Sequence, residues 1–265
     1  MAVRVATVRA GTFVSSDLAL YGAQRVGRAE GSSHMVRIVL VTGGNRGIGR
    51  EVVRRVVAAG DTALLGARNV VQSREVATAL ADGAGRCEIV PLDVADPAGI
   101  NRAARHVTNA HGRLDVLINN AAIHYDTHQR GVDADLRIVE EALQTNLLGA
   151  WRVIQAFLPL LRRSTHPRIV NVSSQSGSLA SMGGGTPAYS VSKAALNALT
   201  RVLADELRSD GVLVNAVCPG WTATDMGGRG GRPVADGAAS VMWAVDLSDD
   251  GPTGGFFRDG RPLPW

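Results

Sequence analysis

Short, almost wholly apolar runs alternate along this chain with longer stretches whose apolar residues recur every three or four positions. The runs cover residues 36–41, 62–67, 87–92, 114–118, 168–172, 212–217 and 255–258. Strands without polar alternation are buried on both faces, and that burial is typical of parallel sheets covered by helices. The intervening stretches have the helical period. In the first of them Ile48, Val52, Val53, Val56 and Val57 share one face, Arg50, Glu51, Arg54 and Arg55 the other, and Gly60 ends it. Further helices are expected over 70–80, 98–111, 136–163 and 188–209, the last opened by Pro187. The pattern predicts one α/β domain over residues 35–265. Residues 1–34 keep neither period and are expected to be a disordered N-terminal extension.

Composition narrows the function classes. Of 265 residues 45% are hydrophobic, too many for a mainly solvated chain, yet no uncharged apolar run approaches the ~18 residues of a membrane-spanning helix. Cys87 and Cys218 are the two cysteines, which supply neither a disulfide framework nor a four-cysteine zinc site. These features read as a soluble, cytoplasmic protein. The net charge of +4 is shared with the extension and is too small for a nucleic-acid footprint. Gly-Gly-Arg-Gly-Gly-Arg at 227–232 has no interleaved aromatics and reads as a small lid loop rather than an RNA-binding segment.

The first strand runs into Thr42-Gly43-Gly44-Asn45-Arg46-Gly47-Ile48-Gly49 and then the first helix. Glycines at such a junction let the backbone turn tightly and approach a pyrophosphate, whose charge the helix N-terminus favours. The spacing is G-x-x-x-G-x-G, and no Gly-Lys-Ser/Thr ending follows, so a dinucleotide is preferred to a triphosphate. The second strand ends Leu65-Gly66-Ala67-Arg68, with no acid to accept a ribose hydroxyl. Arg68, helped by Arg46, can instead pair with a 2′-phosphate, which favours NADP(H) and leaves NAD(H) open.

Twenty-seven of the 28 cationic side chains are Arg; Lys193 is the single lysine, and it lies four residues after Tyr189, one of three tyrosines. That spacing puts phenol and ammonium on one helical face. A free phenol has a pKa of ~10, and a neighbouring ammonium, together with the positive nicotinamide ring of the oxidised cofactor, favours the phenolate and lowers that value. Ser173 and Ser174 end the strand 168–172, at the edge where open α/β sheets bind ligands. Ser174 can bond a substrate oxygen as charge develops, whereas Ser173 can equally cap the strand. Asn146, in an otherwise apolar helical stretch, is a further candidate or a locally satisfied amide.

Together these residues resemble the short-chain dehydrogenase/reductase family, particularly its carbonyl-reductase branch, over residues 36–265. The family's glycine pattern matches Gly43, Gly47 and Gly49, with Asn45, Arg46 and Ile48 between them. Its adenine-side Asp matches Asp93, followed by Val94, and its Asn-Asn-Ala-Gly motif appears as Asn119-Asn120-Ala121-Ala122. Pro219 to Thr224 matches the segment that contacts the nicotinamide amide. The resemblance implies a Rossmann-type, doubly wound, seven-stranded sheet with helices on both faces. It implies a tetrad of Asn146, Ser174, Tyr189 and Lys193. Tyr189 would be the acid/base, Ser174 would polarise a carbonyl, Lys193 would hold the ribose and tune Tyr189, and Asn146 would position a relay water. The substrate would be a small carbonyl compound or alcohol, with homo-oligomerisation left open.

Two further readings belong beside this one. His124, Asp126 and His128 cluster after Ala122, where a solvated loop is preferred to a metal site, and His124 or Tyr125 can line a substrate pocket. The alternative function is a NADP(H)-binding sensor that kept the fold without the chemistry, although such a protein has no need for all four tetrad residues.

Overall fold

Successive residues of a strand face opposite sides of its sheet, and here the two sides carry two separate cores. In the computed structural model, which describes residues 35–265, Leu40, Leu64, Leu117, Ile169 and Val214 point into one core. Their neighbours Val39, Val41, Leu65, Val116, Ile118 and Val170 point into the other. The continuous apolar runs therefore exist because each strand must satisfy two layers at once. The expected extension over residues 1–34 lies outside the described residues.

The strands are β1 (Ile38–Thr42), β2 (Thr62–Ala67), β3 (Arg86–Pro91), β4 (Val116–Asn119), β5 (Arg168–Val172), β6 (Leu213–Val217), β7 (Phe256–Arg258) and β8 (Arg261–Pro262). Their order is β3-β2-β1-β4-β5-β6-β7-β8, parallel from β3 to β7. The expected seven strands are all present, and the count of seven needs one correction. A two-residue β8 returns antiparallel to β7, pairing Arg258 with Arg261 after a turn through Asp259 and Gly260. Two polar-flanked residues are too short to carry a strand period, so the sequence gives no sign of β8.

The helices are α1 (Gly47–Ala58), α2 (Val70–Ala79), α3 (Pro97–His111), α4 (Leu136–Ala142), α5 (Ala150–Leu161), α6 (Pro187–Glu206) and α7 (Val234–Val245). α1, α2 and α7 cover the face of Val39 and Val41; α3, α5 and α6 cover that of Leu40. The single helix expected over 136–163 is divided by a π-helical segment, Leu143–Gly149. α7 is not foreseen in the sequence. Gly237, Ala238, Ser240, Val241, Met242, Ala244 and Val245 are all buried, so it has no polar stripe to reveal its period.

The strand order reverses after β3, so β1 and β4 are neighbours whose crossovers leave on opposite faces. Loops diverge there at the carboxyl ends of the strands, and the crevice between them is where ligands bind in open sheets of this kind. The tips of β1, β2, β4, β5 and β6 all deliver candidate residues to that edge. No helix among the described residues is long and apolar enough to cross a membrane.

Candidate active site

A cleft of about 440 Å³ opens at this edge and runs from the β1–α1 loop to the first turns of α6. At one end Gly47 sits at φ +52°, a left-handed conformation open to glycine at little cost. Gly49 is required by close approach: a Cβ there would drive into the Gly43 carbonyl oxygen and stand 2.5 Å from Asn120 Nδ2. Arg46, at the N-cap of α1, gives no side-chain cap, so the N–H groups of the first turn remain open to an anion.

This loop is tied to the next by a polar clasp. Asn120 Nδ2 donates to the carbonyls of Thr42 and Gly43 at 2.9 and 3.1 Å, while Thr42 Oγ1 accepts from the N–H groups of Asn120 and Ala121 at 3.0 Å each. From the opposite wall Thr224 comes against Gly47, and Asp225 lies 3.7 Å from Arg46. Both members of that ion pair are more than half exposed, so solvent screens it.

The wall beyond β2 carries Arg68, Asn69 and Gln72, with Asn45 Nδ2 donating to Gln72 Oε1 at 2.7 Å. Arg68 is exposed and makes no hydrogen bond or ion pair with another described residue, which leaves its guanidinium open to an incoming anion. Asp93 and Val94 line the same region from the end of β3.

At the inner end stand Tyr189 and Lys193, one turn apart on α6. The Ser174 side chain is close enough to the Tyr189 hydroxyl to lower its pKa. Lys193 Nζ donates to the Val172 carbonyl at 2.8 Å and lies 5.7 Å from the centre of the Tyr189 ring. The ring is sandwiched on its other contact by His124, with centroids 4.3 Å apart and planes inclined by 30°. Desolvation dominates the acid–base chemistry here. Burial pushes the Tyr189 phenol up to about 12 against the lowering effect of the Ser174 side chain, and burial pulls the Lys193 ammonium down to about 8. In the protein alone burial outweighs the groups that lower the phenol; the expected acidification also involves the oxidised nicotinamide ring.

The sequence candidates divide in space. Gly43, Asn45, Arg46, Gly47, Ile48, Gly49, Arg68, Asp93, Val94, Tyr189, Lys193 and Thr224 all line the cleft. Ser174 is not among the lining residues; its hydroxyl accepts from Ser176 N–H at 3.2 Å and lies near enough to the Tyr189 phenol to lower its pKa. Ser173 also lines the cleft, but its hydroxyl donates to Asn197 Oδ1 at 2.6 Å and so fastens β5 to α6. Asn119 also points away from the cleft, its Nδ2 donating to Asn171 Oδ1 at 2.9 Å, and the neighbouring Asn120 faces the loop instead. Asn146 is buried in the π-helical segment. Its Oδ1 accepts from Ile123 N–H at 2.8 Å, and its Nδ2 donates to the Ile123 carbonyl and to Ser192 Oγ at 3.0 and 2.9 Å. Those bonds tie the loop after β4 to α6, one residue from Lys193. Asn120, Thr145 and Gln72 were not singled out by sequence; polar residues beside a glycine loop or within a helix carry no periodic signal that separates a lining residue from a solvated one.

Among the described residues no three His, Cys, Asp or Glu side chains gather as a metal site. The "short chain dehydrogenase" family model matches residues 37–232, which contain the glycine loop, the serines, Tyr189 and Lys193. The chain belongs to the short-chain dehydrogenase family. It is 36% identical over 188 residues to the rhamnolipids biosynthesis 3-oxoacyl-[acyl-carrier-protein] reductase of Pseudomonas aeruginosa, covering 69% of this chain and 72% of that one. It is 32% identical to short-chain dehydrogenase/reductase 1 of Saponaria officinalis, covering 89% and 99% of the two chains. Among solved structures, NADPH-bound carbonyl reductase from chicken fatty liver superposes with a TM-score of 0.79 at 32% identity, covering 88% of this chain and all of that one. Carbonyl reductase Sniffer of D. melanogaster gives 0.80 at 27% identity, covering 87% and 100%. This short-chain dehydrogenase is accordingly an oxidoreductase with a Rossmann-type doubly wound sheet, and its family relatives include reductases whose structures hold a nicotinamide dinucleotide phosphate.

Proposed function

We propose that this short-chain dehydrogenase interconverts carbonyl compounds and alcohols with NADP(H), and that reduction of an aldehyde or ketone is the reaction to assay first. One observation carries the reading: Tyr189 and Lys193 stand at the inner end of the same cleft whose outer end holds the glycine loop and Arg68, which is unpaired among the described residues. The cleft residues fit the dinucleotide. Gly49 keeps the backbone accessible where a Cβ would collide, the first turn of α1 faces the cleft uncapped, and Arg68 offers charge-assisted bonds to a 2′-phosphate where no acid competes.

NADPH, when bound, supplies the hydride for the carbonyl carbon. Tyr189 donates the proton to the carbonyl oxygen, and its raised pKa keeps that proton in place at neutral pH until a negative oxygen develops. Ser174 donates to the same oxygen and stabilises its growing charge. Lys193, held by the Val172 carbonyl, aims its remaining N–H groups into the cleft, where they can bind ribose hydroxyls and, with the oxidised ring, lower the phenol. Asn146 acts through the backbone of Ile123 and through Ser192, fixing the wall opposite Tyr189. Residues 35–265 make up the catalytic domain and residues 1–34 an extension to it.

The test is a panel of aldehydes, ketones and quinones with purified protein and NADPH, read as loss of reduced-cofactor absorbance. Turnover that disappears in Tyr189→Phe is expected. Binding of NADPH without turnover on any carbonyl, and without reduction of NADP by any alcohol, would overturn the reading in favour of a sensor.

A further inference from the structure

α6 carries both Tyr189 and Lys193, and its N-terminus is unusual. Thr186, in the N-cap position, adopts φ 44° and ψ 51°, a left-handed conformation that costs a non-glycine residue, and its side chain makes no cap. Its hydroxyl pairs with Ser190 Oγ instead. The capping is done by a carboxylate from a different part of the chain. Asp126, in the loop after β4, accepts at Oδ2 from the N–H groups of Ala188 (2.7 Å) and Tyr189 (3.3 Å), two of the donors that an N-cap side chain would satisfy.

Asp126 is completely buried, and only one of its oxygens is used. Among the described residues Oδ1 has no hydrogen-bond partner; it faces His124 Nε2, a buried atom likewise unpartnered there, at 3.8 Å. His124 in turn stacks on the Tyr189 ring. One loop thus holds the backbone N–H of Tyr189 with its carboxylate and the face of the same residue's ring with its imidazole. A buried carboxylate with an unsatisfied oxygen is destabilising, and its presence calls for a compensating role.

We infer that Asp126 is a positioning residue for the proton-transfer step, fixing the first turn of α6 so that the Tyr189 hydroxyl meets the substrate oxygen and holding that hydroxyl as a proton donor. The inference deepens the reaction proposed above and rests on it for its kinetic arm alone. The geometry comes first: two N–H bonds to one oxygen set the position of the residue that bears the phenol. Electrostatics adds to it. Around the phenol stand Ser174 at the tip of β5, Lys193 on α6, Cys218 at the end of β6, and His124 and Asp126 in the loop after β4. Burial raises the phenol most, Ser174 lowers it, and Cys218 and then, by a smaller amount, Asp126 contribute to raising it. Burial holds His124 below its ordinary value against the opposing pull of Asp126, so the ring stacks as neutral imidazole near neutral pH.

Three variants test this. Asp126→Ala removes both bonds and is expected to lower kcat for carbonyl reduction about tenfold to a hundredfold while leaving NADPH affinity, read by nucleotide fluorescence, unchanged. Asp126→Asn, whose amide oxygen can still accept both N–H groups, is expected to recover most of that loss. It removes the charge, so its phenol should titrate at lower pH than in the unsubstituted protein. Ultraviolet difference titration of the tyrosinate band, with Tyr189→Phe as the blank, reads that shift in the NADP complex without any turnover. A protein inactive on every carbonyl would sink the reaction proposal, yet the titration would still decide this one. If Asp126→Ala fails to fold, Asp126→Asn alone decides. A phenol titrating at the same pH in Asp126→Asn, or a kcat unchanged in folded Asp126→Ala, refutes the assignment. A structural cap without influence on Tyr189 would change the melting temperature and neither of these.

Discussion

Lys193→Met separates what this side chain does for catalysis from what it does to stability. The ammonium is 2% exposed and has one hydrogen-bond acceptor, the Val172 carbonyl. Burial brings its pKa from 10.5 down to about 8, and at 1.36 kcal/mol per pH unit that interval corresponds to about 3 kcal/mol of destabilisation when the group is charged. Met keeps the unbranched stem and deletes the charge. It also strips the Val172 carbonyl of a donor, which costs about 1–2 kcal/mol. The expected net gain at pH ~7 is therefore about 1–2 kcal/mol, or a rise in Tm of roughly 2–6 °C for a domain of this size. The pH dependence has a definite sign. Between about 8 and 10.5 the unfolded chain binds a proton at this lysine that the folded chain has released, so the unsubstituted protein gains stability as pH rises through that window. The advantage of Lys193→Met must fade over the same range. Paired denaturant titrations at pH ~7 and pH ~10, analysed as the difference between the two proteins, cancel the other titrating groups. A variant less stable than its parent at pH ~7, or a difference that does not change with pH, would refute the desolvation argument. Turnover should be lost at either pH, the trade of activity for stability common at strained sites.

Two other perturbations address neighbouring parts of the cleft. Arg68→Asp should weaken NADPH about tenfold to a hundredfold relative to NADH, the value of one or two charge-assisted bonds, measured as the ratio of KM values for the two cofactors; an unchanged ratio would show that Arg68 does not read the phosphate. The adjacent serines should respond in opposite ways. Ser174→Ala is expected to lower kcat about a hundredfold or more with little change in melting temperature, whereas Ser173→Ala leaves buried Asn197 without its donor and should cost about 1–3 kcal/mol of stability. Equal kinetic losses for the two would place the chemistry elsewhere.

Much of the architecture could be read from one-dimensional patterns because those patterns record burial. The boundaries of β2 and β5 match the apolar runs at 62–67 and 168–172 to the residue, since both are central strands buried on two faces. Where burial and sequence pattern part company, the reading fails. α7 exposes Ala235 and Ala239 where a polar stripe would mark its outer face, and β8 forms only because β7 supplies an edge for it. Residues 143–149 keep an apolar helical pattern while their hydrogen bonding is π-helical, and the position of Asn146 follows from that extra turn rather than from the pattern.

The sequence by itself determined the glycine loop, the acid-free end of β2 and the shared helical face of Tyr189 and Lys193, because these depend on contacts within a few residues along the chain. Read alone it names Asn119 where Asn120 faces the cleft, leaves Ser173 as a competitor of Ser174, and expects a more acidic phenol without the effect of burial. Each of those depends on groups far apart in sequence: Asn197 claims Ser173, Asn171 claims Asn119, and the walls that exclude water from Tyr189 come from the loops after β4, β5 and β6. The part played by Asp126, 62 residues before the N–H it caps, exists only once the chain is folded. Local periodicity reports which way a side chain points, and tertiary packing decides what it meets.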